Sequence, residues 1–263
     1  MIERFLITGD THRMFSRFKH LDKTPNTGII ILGDAGLNYT LDKDDYDTKR
    51  ALCKQYPYDF YCVRGNHEAR PSDVPGMELV YDENVKGLVW MEENFPHIKY
   101  FQDWGTYEID GLKTLVIGGA YSVDKYWRIS CGAKWFENEQ LSEMERNDCL
   151  RFAKGRQFDL VLMHTCPLSL QPTDMFLRGL DQSTVDNTME VWLEELVNSI
   201  GWKLILFGHY HADRIEWPHV EQFYMEMELL MDILERWKKY DETGELDWYL
   251  PLSPKMKRLM EGE

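Results

Sequence analysis

The feature that most limits what this chain can fold into is a set of five short apolar runs, each ending on a polar cluster. Arg4 to Thr8 runs into Gly9-Asp10-Thr11-His12, and Gly28 to Leu32 into Gly33-Asp34. Phe60 to Val63 leads to Arg64-Gly65-Asn66-His67-Glu68, Leu160 to Met163 to His164, and Leu204 to Phe207 to Gly208-His209-Tyr210-His211. Runs this short and this apolar, separated by helical patterns, read as strands buried on both faces of an α/β sheet. In such sheets ligands gather at the carboxyl ends of the strands, where all five clusters fall. Of the eight histidines, five (His12, His67, His164, His209, His211) lie there, leaving His20, His97 and His219 elsewhere. An Asn-His pair in a turn is ordinarily unremarkable. Five histidines converging with Asp10, Asp34 and Asn66 indicate one shared site.

The rest of the chain supplies the connections. Thr11 to His20 reads as a short helix and Asp45 to Gln55 as a longer one, and Gly65 reads as the residue that lets the chain turn sharply. From Pro71 to Pro96 prolines and Gly76 mark loops, with Val85 to Met91 compatible with a strand or a helical turn. Trp104 to Ile109, Asp110-Gly111 and Leu112 to Ile117 form a hairpin signature, since Asp-Gly tolerates the positive φ of a type I′ turn. Gly118-Gly119 opens an aromatic connection over 119–139, either a lid or a packed crossing, in which Tyr126, Trp127 and Arg128 are expected to line or cover one side of the cleft. Helices follow over Gln140 to Lys154 and about Thr184 to Asn198. Alternation from Phe223 to Leu229 suggests a strand, Leu230 to Tyr240 an amphipathic helix, and Ser253-Pro254 the cap and first residue of a last helix. With no repeat and no dividing linker, one domain over 1–263 is expected, with its motifs in 10–211 and a strand-and-helix extension over 219–263.

Composition excludes some partners. The 263 residues, 43% hydrophobic, can bury a real core, and a net charge of -15 disfavours long nucleic acid and anionic membrane surfaces. Bound metal ions could still reverse that charge locally. Five cysteines, Cys53, Cys62, Cys131, Cys149 and Cys166, form no Cys-x-x-Cys and suggest neither a disulfide framework nor a thiolate zinc site. A cytoplasmic location is expected, with neither a signal sequence nor an apolar run of membrane-spanning length.

Carboxylate, imidazole and amide-oxygen ligands without thiolates suit Mn, Fe, Zn, Co or Ni. Asp10, His12, Asp34, Asn66, His164, His209 and His211 are more ligands than one ion needs. Two ions about 3.5 to 4 Å apart, bridged by one carboxylate, would use them, and such a pair holds a hydroxide for in-line attack at phosphorus.

Taken in order, Asp10-x-His12, Gly33-Asp34, Gly65-Asn66-His67-Glu68, His164 and Gly208-His209-x-His211 resemble the calcineurin-like metallophosphoesterase superfamily. The resemblance implies a layered αββα β-sandwich. It also implies one ion on Asp10, His12, Asp34 and His211 and another on Asp34, Asn66, His164 and His209, with Asp34 bridging. His67 would protonate the leaving oxygen or steady the phosphate, and Arg64 looks like a phosphate-contacting arginine, the alternative being a surface ion pair. Two positions depart from the pattern. Leu37 and Asn38 stand where many members have a second Asp that orients the histidine, and Arg13 replaces the Gly that often follows the first His. A phosphoester substrate, with phosphomonoesters favoured, is the leading expectation. A phosphodiesterase on cyclic or short nucleotides is the alternative, and a non-catalytic scaffold a minor one. Oligomeric state has no signature in the sequence.

Overall fold

The computed structural model describes the chain except for residues 22, 23, 25, 177–181, 247–249 and 263. In chain order the strands and helices are β1 (Arg4–Thr8), β2 (Thr27–Ile31), α1 (Lys43–Gln55), β3 (Asp59–Cys62), β4 (Met77–Asp82), β5 (Gly87–Glu92), β6 (Ile98–Phe101), β7 (Trp104–Ile109), β8 (Leu112–Ile117), α2 (Lys125–Cys131), α3 (Glu143–Ala153), β9 (Leu160–Met163), α4 (Thr188–Ser199), β10 (Leu204–Phe207), β11 (Arg214–Trp217), β12 (Val220–Gln222), β13 (Met227–Leu229), α5 (Leu230–Thr243) and α6 (Pro254–Glu261).

The strands form two sheets, in the orders β13-β1-β2-β3-β6-β5-β4 and β11-β12-β10-β9-β8-β7. β1, β2, β3 and β6 are parallel, as are β8, β9, β10 and β12. Because side chains alternate across a strand, each run divides between two cores. Ile7, Ile30 and Tyr61 of the first sheet meet Val116, Leu162 and Leu206 of the second in a central core closed by Leu230, Ile233 and Trp237 of α5. The outer face of the first sheet, with Ile29, Ile31 and Phe60, packs on Leu52 of α1. That of the second, with Val161, Met163 and Ile205, packs on Cys149 of α3 and on Trp192 and Leu193 of α4. Helix, sheet, sheet, helix is the layering the sequence pointed to, and it brings the carboxyl ends of β1, β2, β3, β9 and β10 to one rim.

Several boundaries differ from the sequence reading for physical reasons. The segment Thr11 to His20 is helical only as a 3₁₀ turn over Phe15–His20, because His12 and Arg13 both take positive φ, at 42° and 66°. The stretch left open before Pro96 is a β4-β5 hairpin whose side chains are largely half-exposed, which removes the apolar alternation that marks a strand. α3 starts at Glu143, after a capping box between Ser142 and Glu145. The strand expected from Phe223 shrinks to β13, because the backbone N–H groups of Tyr224, Met225 and Glu226 all donate to the Asp213 carboxylate. The Asp110-Gly111 turn takes φ of 49° and 76°, as a type I′ turn requires, and Ser253 caps α6 by accepting from Met256 N.

α5 is fastened to the second sheet by a buried ionic cluster. Glu221, fully buried on β12, accepts from Arg236 at 2.8 Å on each oxygen and from Trp237 Nε1 at 2.6 Å, while Arg236 also pairs with Glu228. Burial pushes the Glu221 carboxyl up to about 7 against the pull of Arg236, with Glu228 adding to the rise. A carboxyl raised in the folded state contributes its stability in full below its unfolded value and loses it as pH climbs through about 7. Wild-type unfolding free energy is therefore expected to fall by on the order of 2 kcal/mol between about pH 5 and pH 8 from this group, and Glu221→Gln should flatten that part of the profile. Urea titrations across the window check it, and equal slopes in the two proteins would contradict it.

Candidate metal centre

Asp10 leaves β1 fully buried, with Oδ1 accepting the His209 backbone N–H at 2.9 Å. Its Oδ2 is buried without a hydrogen-bond partner, 3.3 Å from His211 Nε2 and 3.8 Å from His12 Nε2. The His12 and His211 Nε2 atoms approach to 2.9 Å. Asp34, after β2, accepts the His67 backbone N–H on Oδ1 at 2.8 Å and points Oδ2 between His12 Nε2 at 3.9 Å and His164 Nε2 at 3.7 Å. Ligand atoms of Asp10, His12 and His211 form one group within 4.8 Å of one another, and those of Asp10, Asp34 and His164 a second.

The His164 side of the site has a fixed polarity. Nδ1 sits 2.9 Å from the Leu32 carbonyl, which can only accept, so the proton is on Nδ1 and the Nε2 lone pair faces Asn66 Oδ1 at 2.8 Å. The Asn66 amide is set by its other end: Nδ2 donates to Ser122 Oγ at 2.9 Å, and Ser122 donates to Glu139 at 2.5 Å. Two acceptors thus face each other in a buried place, and a cation between them is what makes the arrangement favourable. With the unpartnered Asp10 Oδ2 and the paired Nε2 atoms of His12 and His211, the donor set fits divalent transition metals. His209 lies with its ring 4.9 Å from that of His164. His67 stands at the cleft side, its Nε2 4.0 Å from Asp34 Oδ2 and 3.5 Å from Arg128 Nη2.

Electrostatics follow from burial. Desolvation pushes the His12 imidazole down to about 4 and those of His164 and His209 down as well, which keeps them in the neutral, ligating form. Burial, Asp10 and Glu68 drive Asp34 well above the usual carboxylate range. For Asp10 burial also raises, but the His211 imidazole 3.3 Å away and the His209 backbone N–H help to hold the group low.

The local backbone is built for close approach. A Cβ on Gly33, at φ 103°, would lie 1.9 Å from His164 Nδ1, and one on Gly65 would lie 1.9 Å from Asp34 Oδ1. Gly65 has no positive φ, so its role is to admit the Asp34 carboxylate rather than to turn the chain. Glu68, fully buried, accepts from Gly36 N at 2.7 Å, Leu37 N at 3.1 Å and Tyr100 Oη at 2.8 Å, which fixes the loop carrying Asp34. Arg13 holds that loop from the other side, donating to Gly36 O at 2.7 Å and pairing with Asp44 and Asp45.

The sequence-predicted ligands are brought together, while Arg64 is buried rather than at the surface. It is 1% exposed, with Nε on Asp103 at 2.6 Å and Nη1 on the Glu139 carbonyl at 2.8 Å. The ion pair with Asp103 is therefore buried rather than at the surface, Arg64 joins the end of β3 to the 119–139 connection, and its Nη2 is left without a hydrogen-bond partner. The sequence reading missed Ser122 and Glu139, whose signal was the Gly118-Gly119 pair ending the β8 run.

Among solved structures the chain is similar to the phosphopantetheinyl hydrolase of Mycobacterium tuberculosis, at 10% identity and a TM-score of 0.43, with 94% of this chain and 93% of that one covered. No curated protein matches it. The family model for calcineurin-like phosphoesterases matches residues 3–213, which include every motif residue placed above, and the chain belongs to that family of metal-dependent phosphoester hydrolases.

Proposed function

We propose that this chain is a dinuclear phosphatase that hydrolyses phosphomonoesters. The observation that carries the reading is the position of Asp34 Oδ2, within 3.9 Å of His12 Nε2 and 3.7 Å of His164 Nε2, so that one carboxylate faces both ligand groups. Asp10, His12 and His211 would hold one ion with Asp34, and Asn66, His164 and His209 the other. When bound, two such ions activate water and neutralise charge on the phosphoryl group.

The chain's own residues set what the site accepts. Two buried carboxylates offset half the charge of two divalent ions, and the remainder suits a phosphoryl dianion, which also carries a single organic substituent. A diester brings one charge and a second substituent that needs room. His67 stands with its Nε2 4.0 Å from Asp34 Oδ2, where its ring can hydrogen-bond the leaving oxygen or a phosphoryl oxygen. The second reading, a diesterase for cyclic or short nucleotides, draws on Tyr126 and Trp127, 68% and 63% exposed on α2, as a surface on which a base could stack.

Metal-free protein reconstituted separately with Mn, Zn, Ni and Fe and assayed on nitrophenyl phosphate and bis-nitrophenyl phosphate is expected to turn over the monoester faster. Diester preference with every metal would overturn the monoester assignment and favour the second reading. His67→Asn is expected to keep its metal content while kcat falls by about 10²- to 10⁴-fold, the scale of a lost proton-transfer or phosphate-orienting group. Unchanged kcat in that variant would remove His67 from the reaction.

A further inference from the structure

Helix α2 is an unusual element for a folded chain, since none of its seven residues is buried. Tyr126, Trp127 and Ile129 are 68%, 63% and 53% exposed, so the helix buries no apolar stripe of the kind that normally docks a surface helix. Polar contacts hold it instead: Lys125 Nζ lies 4.3 Å from the Trp135 ring centroid, and the Arg128 side chain turns inward, 15% exposed.

Arg128 is fixed on its outer side and open on its inner one. Nε contacts both Asp124 oxygens at 2.8 Å, and Nη1 donates to Tyr39 Oη at 3.3 Å and to the Lys134 carbonyl at 3.2 Å. Nη2 faces the metal cleft, 3.5 Å from His67 Nε2, and its charge is felt at Asp34 and His12. Tyr39 belongs to the loop that follows Asp34, so the guanidinium ties α2 to the ligand-bearing segment. Among the described residues Arg64 and Arg17 also lie near the ligands, but both are buried, Arg64 on Asp103 and Arg17 on the carbonyls of Asp10 and Tyr224. Arg64 Nη2 also lacks a hydrogen-bond partner, but it is buried against Gly119, whereas Arg128 Nη2 reaches the His67 ring at the cleft.

We propose that Arg128 binds a phosphoryl oxygen of the substrate through Nη2, with Asp124 as its positioning residue and α2 as its carrier. The assignment rests on the phosphomonoesterase reading and gives it a source of selectivity. A rigid guanidinium beside the metal ligands adds a charge-assisted hydrogen bond that is worth most for a dianion. The position beside His67, where the sequence lacks the second Asp of many relatives, is thereby filled by a substrate-binding cation.

The test uses Mn-reconstituted full-length protein with orthophosphate as the binding probe, alongside both nitrophenyl esters. Arg128→Ala is expected to keep its metal content and fold, to weaken orthophosphate binding by about 10- to 100-fold, and to lower monoester kcat/KM by a similar factor while the diester falls less. Arg128→Lys should restore part of the loss, because a point charge lacks the planar fork, and Asp124→Asn should reproduce a smaller loss in KM rather than kcat. Unchanged orthophosphate affinity in Arg128→Ala, or equal losses for the two esters, would overturn the proposal. The orthophosphate readout does not need turnover: a protein that binds it through Arg128 yet hydrolyses neither ester would keep this assignment and lose the phosphatase reading.

Discussion

Two carboxylates, Asp10 and Asp34, are fully buried with ligand atoms in one group within 4.8 Å; each has one oxygen on a backbone N–H and turns the other toward histidine Nε2 atoms. Two carboxylates in so dry and so close a setting cannot both carry charge without cations beside them. His12, His164 and His209 cannot supply that charge as imidazolium, because burial holds them neutral. The pocket is therefore an electron-rich cage, and the need for cations there accounts for the polarity of the His164–Asn66 contact and for the unpartnered Asp10 oxygen.

Holding such a cage open has a cost that the surrounding fold absorbs. His12, Asp34, His209 and His211 all take positive φ, a conformation that costs roughly 1 to 3 kcal/mol at a non-glycine residue and persists where neighbouring structure over-determines it. The neighbouring structure here is specific: Glu68 with Tyr100 under the Asp34 loop, Arg13 across it, and Glu139 with Ser122 behind Asn66. Three buried cores hold the five strand ends at one rim, so that the strain is carried by packing distributed over both sheets.

What was legible in the sequence depended on burial. Ile29 to Leu32 and Leu204 to Phe207 are buried on both faces, so their apolar runs announced strands and their ends announced the ligands. β4 and β5 sit at a sheet margin with half-exposed side chains, and their pattern was correspondingly mute. Gly65 was recognisable as obligatory but for the wrong reason, because a need for room beside Asp34 leaves the same trace as a need for turning. Arg64 shows the limit of motif reading: its place before Gly65 says nothing of its burial, and Asp103, thirty-nine residues away in sequence, draws its Nε into the interior. Arg128 belongs to no motif, but its place in the aromatic connection after Gly118-Gly119 suggested a residue lining the cleft, and the path of α2 brings it to His67.

The claim on which the dinuclear reading turns is that Asp34 bridges two ions, and spin coupling measures it directly. Electron paramagnetic resonance of Mn-titrated wild type should show two ions per chain with an exchange-coupled spectrum, since ions about 3.5 to 4 Å apart with a shared carboxylate interact magnetically. Asp34→Asn should lose the coupled signal and at least one ion while His211→Asn, which touches one ligand group, retains the His164-side ion. Full occupancy with an undiminished coupled spectrum in Asp34→Asn, or isolated Mn signals at every loading of the wild type, would contradict the bridge.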